Sequence, residues 1–226
     1  MNSSSIALCL CIILIITPAA YSEEQANNNT RDGCQIIVGV DMSSSVPWNT
    51  SADELFFAET NLCKIILHDL RRGDKVIMKP FGSFHNRTTI NAALQTHEVR
   101  RRKANKSSIQ KKVHSIIAGT KKKQSETSIL GFLHNLPRLY PEIPVCKIVL
   151  LTDGFEYSEF GNPSDFAIGR KELPVRRPNY LNGVKLVFVG FGNTLDSHSS
   201  KLVTGLENSW IRHCKKAGAQ CEFINW

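Results

Sequence analysis

The chain predicts an α/β fold: three layers, doubly wound and Rossmann-like, with a parallel central sheet flanked by helices. Three observations carry this. First, Gln35–Val40, Cys146–Thr152 and Val184–Val189 are continuous apolar runs without polar alternation, the pattern of strands buried on both faces. Second, the stretches between them space their apolar residues as helices do. Third, two of the runs end at an aspartate, Asp41 and Asp153, and in such sheets ligands sit beyond the carboxyl ends of the strands.

The elements follow in order. Residues 1–22 read as a signal peptide. Ile6–Ile16 is an uncharged apolar run of 11 residues, and Ala20-Tyr21-Ser22 is a small-x-small cleavage site before Glu23. The alternative is a leader that stays uncleaved as a membrane anchor; the run is short of a bilayer span and Pro18 interrupts it. Residues 23–33 are polar and aperiodic, a flexible lead-in, and 34–226 form the domain. After the first strand, Ser51-Ala52-Asp53 can cap a helix running to about Leu70. Asp74–Pro80 reads as a second strand, and a third lies within Thr88–Val99. A helix opens at Ser107 or Ser108 and runs to about Ala118; another runs from Ser128 to about Leu136, before Pro137. Past the Val184–Val189 strand, a helix from about Ser199 to Lys216 stops at Gly218, and Cys221–Ile224 supplies a last strand.

Composition fits this reading and narrows the class. The 226 residues carry 28 Lys+Arg against 20 Asp+Glu, a net charge of +8. None of that charge lies in the leader. Hydrophobic content of 42% and charged content of 21% belong to a globular chain, not a disordered one. No internal repeat or sustained heptad is present, which excludes solenoids and coiled coils. No later segment is long and apolar enough to span a membrane, so the product reads as exported, periplasmic or secreted, once the leader is cleaved.

Chemistry gathers at the ends of two strands. Asp41-Met42-Ser43-Ser44-Ser45 follows the first, and Thr152-Asp153-Gly154 follows the Cys146–Thr152 run. Alternate residues of an extended loop point the same way, so Ser43 and Ser45 are presented together. Two carboxylates and two hydroxyls in one crevice make an all-oxygen site for a hard divalent cation, Mg2+ first, Mn2+ or Ca2+ as alternatives. Gly154 lets the second loop turn sharply.

These residues resemble the von Willebrand factor A domain and its metal-ion-dependent adhesion site, over roughly residues 34–226. The resemblance rests on Ile36-Ile37-Val38-Gly39-Val40, on Asp41–Ser45, and on Val149-Leu150-Leu151-Thr152-Asp153-Gly154. It implies a mostly parallel sheet with one antiparallel edge strand. It also implies that Ser43, Ser45, Asp41 and Asp153 hold the ion, directly or through water, with a threonine from an intervening loop. Thr127 matches that threonine, with Ser125 and Thr120 as rivals, because Lys121-Lys122-Lys123 stands where the family more often has glycines. The binding mode implied is a partner's carboxylate completing the ion's shell.

Enzyme chemistry is not expected. The serines lack a G-x-S-x-G elbow and a base, His85, His97, His114 and His198 are scattered singly, and Gly190-Phe191-Gly192-Asn193 lacks the third glycine of a dinucleotide fingerprint. Ten Lys/Arg lie between His97 and Lys123, among them Arg100, Arg101, Arg102, Lys103, Lys121, Lys122 and Lys123, against the single acid Glu98. They read as a patch for an anionic partner or as a solvated face. The expected function is an exported, metal-dependent protein-binding or adhesion module. The alternative is an accessory protein of a DNA-transfer or surface-assembly apparatus that binds an anionic polymer through the basic segment.

Five cysteines lie past the leader, none in a C-x-x-C pair. Cys34 and Cys146 each stand seven residues before a site aspartate, so neighbouring parallel strands would set them side by side at the opposite end. The expected pairs are Cys34–Cys146 and Cys214–Cys221, with Cys63 unpaired; buried, inert thiols are the alternative.

Overall fold

A computed structural model describes residues 33–71, 73–83, 95–98, 102–119, 124–139 and 144–226, with the side chains of 95–98, 102–106, 119 and 137–139 excepted. The leader and nearly all of the lead-in lie outside these residues.

Six strands form one sheet in the order β3-β2-β1-β4-β5-β6. They are β1 (Gln35–Asp41), β2 (Lys75–Phe81), β3 (Gln95–Glu98), β4 (Val145–Leu151), β5 (Lys185–Val189) and β6 (Gln220–Ile224). Five are parallel, and β3 alone pairs antiparallel, at the β2 edge. This is the doubly wound α/β arrangement the apolar runs predict. The chain moves outward from β1 to β2 and β3, then returns to place β4 on the other side of β1. The order therefore reverses between β1 and β4, and a crevice opens beyond their carboxyl ends.

Alternation along the strands divides the core in two. Ile36, Val38, Val40, Val149, Leu151, Val187 and Val189 face α1 (Ala52–His68) and α2 (Arg102–Gly119), packing with Leu62, Ile66, Ile109 and Val113. Ile37, Ile148, Leu150, Leu186 and Phe188 face α3 (Ile129–Leu139) and α5 (Ser200–Ala217), with Leu133, Leu136, Leu206 and Trp210. Gly39 is needed on this second face: a Cβ there would meet Leu150, Phe132 and Phe81 at 2.8–3.0 Å, where the Phe81 and Phe132 rings stack at 5.0 Å. Caps fall where the sequence puts them, with Ser51 accepting from the Glu54 amide at 3.4 Å and Ser199 from the Leu202 amide at 3.3 Å.

Four details differ from the sequence reading. Helix α2 starts at Arg102, earlier than Ser107, because the residues of its first turn add nothing to an apolar period in the sequence. Helix α3 runs on through Pro137 to Leu139, although proline withholds the N–H that would bond to the Leu133 carbonyl. The 3-10 turn Pro47–Asn49 and the five-residue helix α4 (Pro163–Ala167) are too short to show a period.

Both expected disulfides are present. Cys34 and Cys146 bridge the amino ends of β1 and β4 with Cα atoms 5.8 Å apart, and Cys214 joins Cys221 across the α5–β6 turn at 6.1 Å. Cys63 is not in a disulfide and is buried.

Candidate metal centre

Asp41 is the last residue of β1 and Asp153 stands two residues past β4, so both carboxyl groups arrive at the switch-point crevice. Both side chains are fully buried. Asp41 Oδ1 accepts the Ser43 amide at 2.9 Å and its Oδ2 accepts the Thr152 hydroxyl at 2.6 Å. Asp153 Oδ1 accepts the Phe155 amide at 3.0 Å and its Oδ2 accepts the Ser45 hydroxyl at 2.6 Å. The Ser43 and Ser45 hydroxyls lie 3.0 Å apart, brought together by a turn at Ser44–Ser45 and not by the extended loop the sequence reading assumed.

Backbone staples hold three loops around this cluster. The Ser44 amide donates to the Gln124 carbonyl at 2.8 Å, and the Gln124 amide to the Met42 carbonyl at 3.3 Å. Thr127 and Tyr157 exchange both amide–carbonyl bonds, at 3.0 and 2.8 Å. The Leu195 amide donates to the Ser45 carbonyl and the Gly192 amide to the Asp153 carbonyl, both at 2.8 Å. Asn49 Nδ2 donates to the Ser43 carbonyl at 3.0 Å, bracing the serine loop from below α1. Gly154 sits at φ +82°, and a Cβ there would stand 2.2 Å from the Phe191 ring, so only glycine makes this turn.

The electrostatics are those of two acids forced together out of water. Burial pushes the Asp41 carboxyl up to about 6, against hydrogen bonds from Thr152 and Ser43 that pull it down. Burial, and then the adjacent Asp41 charge, pushes Asp153 up to about 7. Among the described residues no ion pair reaches either carboxyl. Nor does any group of three or more His, Cys, Asp or Glu gather there or elsewhere among them. The donor set is thus two carboxylates and several hydroxyls, all hard oxygen, which suits magnesium, manganese or calcium and not zinc.

Above the acids opens a cleft of about 260 Å³. Ser43, Ser44, Ser45, Ser125 and Thr127 line it, facing Phe155, Tyr157, Thr194, Asp196 and His198. The structure therefore brings together Asp41, Ser43, Ser45 and Asp153 by direct bonds, with Thr127 in the same cleft. Of Thr127's rivals, Ser125 also lines the cleft but is exposed where Thr127 is buried. Thr120 lies outside the described residues, as do Arg100, Arg101, Lys121, Lys122 and Lys123.

Arg102 and Lys103 open α2 at the other end of the molecule. Glu98, which precedes them, is paired with Lys75 at the start of β2, and the 18-residue helix is about 27 Å long. The start of α2, at Arg102, thus lies near the amino end of β2, away from the acids.

Sequence reasoning missed four contributors. Thr152 was read only as the lead-in to Asp153, yet its hydroxyl is a direct partner of Asp41. Asp196 and His198 come from the loop after β5, where no pattern marks them; His198 is a cleft residue whose ring stacks on Phe155 at 4.6 Å. Glu156 is buried at the start of α3, where its carboxyl accepts the Leu130 amide at 2.9 Å and the Ser158 hydroxyl. Burial pushes it up to about 8.

No known protein family and no curated protein matches the chain. Solved structures similar to it include an aerotolerance-related membrane protein from Bacteroides fragilis, at 17% identity and TM-score 0.45 over 86% of this chain and 92% of that one. Another is a manganese-loaded TRAP protein from Plasmodium vivax, at 17% identity and TM-score 0.44 over 86% and 69%. A third is the SpRpn10 VWA domain, at 10% identity and TM-score 0.38 over 85% and 88%.

Proposed function

We propose that the chain is an exported protein-binding module of the von Willebrand factor A kind, which recognises an acidic group of a partner through a divalent cation. The observation that carries this is the cluster beneath the cleft: two buried carboxyl groups, Asp41 and Asp153, linked through Ser43 and Ser45, which line it. A dication there would offset charge that burial otherwise drives towards protonation.

Asp41 and Asp153 supply the negative charge; Ser43, Ser45 and Thr127 supply neutral oxygens. Neutral hydroxyls leave a cation much of its charge, so a bound ion supplies an electrophilic position for a partner's carboxylate. Thr152 orients Asp41, and Asn49 with the Gln124 and Leu195 backbone staples fixes the serine loop. The leader and the two disulfides favour export. No helix among the described residues is long and apolar enough to cross a membrane.

Binding suits the site better than catalysis. Ser45 donates to Asp153, not to an imidazole, and the cleft's His198 is engaged in a ring stack.

Calorimetry with magnesium, manganese and calcium on the full chain tests the reading. Asp41→Ala should lose cation binding, and Ser45→Ala, which keeps both carboxylates, should weaken it about tenfold. Unchanged binding in both variants ends the proposal. Partner binding that survives chelator but falls steeply with salt would instead favour an anionic polymer on the basic segment.

A further inference from the structure

Away from the cleft, the C-terminal half of α5 and the segment 169–181 that runs along it form a separate surface. The segment is clipped to the helix by the Asn179 amide on the Lys216 carbonyl at 3.0 Å and the Leu181 amide on the Ala217 carbonyl at 2.8 Å. Arg176 Nη1 ties it to the His134 carbonyl of α3 at 3.0 Å. It carries exposed Arg170, Lys171, Arg176 and Arg177, and α5 adds exposed Arg212, Lys215 and Lys216. The acids within residues 165–181 and 208–217 are Asp165 and Glu172, and each is already taken, by Arg170 at 2.7 Å and Lys216 at 2.5 Å. Among the described residues no acid forms an ion pair with Lys171, Arg176, Arg177, Arg212 or Lys215. The face keeps an excess of positive charge.

Two large aliphatic side chains stand among these cations. Ile168 is 63% exposed and Ile211 45%, and a cleft of about 270 Å³ sets Ile168 beside Arg212 and Asn208. Phe166, Tyr180 and Trp210, the large aromatic residues of these segments, are buried, so they offer no ring for a nucleic-acid base to stack on. A phosphodiester or sulfated chain would use the cations and gain nothing from exposed isoleucines. A bilayer with acidic headgroups uses both, since its surface draws cations and its headgroup–acyl boundary takes up aliphatic side chains. We propose that this face docks the protein peripherally on a bilayer of anionic phospholipid. Leu202, in the first turn of α5, lines the cleft of the candidate metal centre, and Lys215 lies about 20 Å further along the helix. A protein held by this face therefore keeps that cleft free for a partner, and the docking surface stands whether or not the cleft holds an ion.

The test floats the full chain with vesicles of phosphatidylglycerol and phosphatidylcholine in equal parts, and with vesicles of phosphatidylcholine alone. The ratio of the two partitions cancels any contribution of the apolar leader. Wild type should prefer the anionic vesicles about tenfold or more. Lys171→Glu, Arg177→Glu and Lys215→Glu combined, all at exposed positions, should abolish most of that preference. Ile168→Ser with Ile211→Ser should lower partition onto the anionic vesicles roughly three- to tenfold and leave binding to a fluorescent DNA duplex unchanged. Equal partition onto both vesicles, or a preference that survives the triple charge reversal, overturns the proposal. So does an isoleucine variant that partitions as wild type does, and loss of duplex binding in the charge variant would then assign the face to nucleic acid. Mn2+ binding, measured by water-proton relaxation, should be the same in every variant. Failure of Mn2+ to bind wild type ends the metal-dependent reading and leaves this one standing.

Discussion

The two ends of one strand pair solve opposite problems. At their amino ends β1 and β4 are joined covalently by Cys34–Cys146, with Cα atoms 5.8 Å apart. At their carboxyl ends the same strands carry Asp41 and Asp153, two buried acids that repel each other. Between the ends, register holds from Ile36 opposite Lys147 to Val40 opposite Leu151. A parallel pair therefore delivers whatever follows it to one place with little freedom. One end uses that convergence to close the fold, and the other uses it to hold an electrostatic conflict. The crevice is thus unfavourable by construction in the absence of an ion, and the rest of the sheet tolerates it.

The largest expected effect is at the closed end. Cys34 and Cys146 lie 112 residues apart. On the chain-entropy account, replacing both with serine should cost about 4–5 kcal/mol, read by urea denaturation. Cation binding should change far less than stability, since the bridge stands at the other end of the sheet. Loss of cation binding at unchanged stability would mean that the two ends are not independent.

Next in size is Thr152→Val at the open end. It removes the hydroxyl that donates to Asp41 at 2.6 Å and leaves that carboxyl with one fewer partner in a buried site. A loss of about 1–3 kcal/mol without cation is expected. Urea unfolding in chelator checks it, and a neutral result would show that Asp41 is protonated and satisfied some other way.

A smaller and more diagnostic effect concerns pH. The folded carboxyls of Asp41 and Asp153 sit near 6 and 7, above the ordinary 3.8. Between about pH 4 and 7 the folded protein therefore holds more protons than the unfolded chain, so these two groups make stability fall as pH rises through that window. With saturating Mn2+ that fall should disappear, because the bound form holds both acids ionised, as the unfolded chain does above about pH 5. Parallel melting series in chelator and in Mn2+ would show it, and identical slopes would remove the conflict from the account. The smallest effect is Ser45→Ala: a weaker cation site with a change in melting temperature of only a few degrees, because the half-buried serine loop keeps its backbone staples.

Much of this was legible in the sequence, for reasons that differ by element. Central strands announced themselves because burial on both faces allows nothing polar in Ile36–Val40 or Ile148–Leu151. Asp41 and Asp153 stood out because an acid ending such a run has few structural uses. The Cys34–Cys146 bridge followed from equal spacing to those acids once the strands were adjacent, and Cys214–Cys221 from the short turn between the last helix and strand. What escaped notice carries no period. The first turn of α2 is rich in basic residues, and α4 completes barely more than one turn. Asp196 and His198 reach the cleft on a loop whose course depends on staples to Ser45 and Asp153 from distant segments. Thr152 was in plain view, but whether a threonine beside an aspartate is core or partner depends on which carboxyl it meets in space.

The most direct measurement is the proton count on cation binding. Calorimetric titration of Mn2+ into the full chain at pH 6.5, repeated in buffers of different ionisation enthalpy, gives the number of protons released. The account predicts net release at pH 6.5, shrinking to none well above pH 8, and loss of both binding and release in Asp41→Ala. Tight binding with no proton release at pH 6.5, or release that persists in Asp41→Ala, would contradict it.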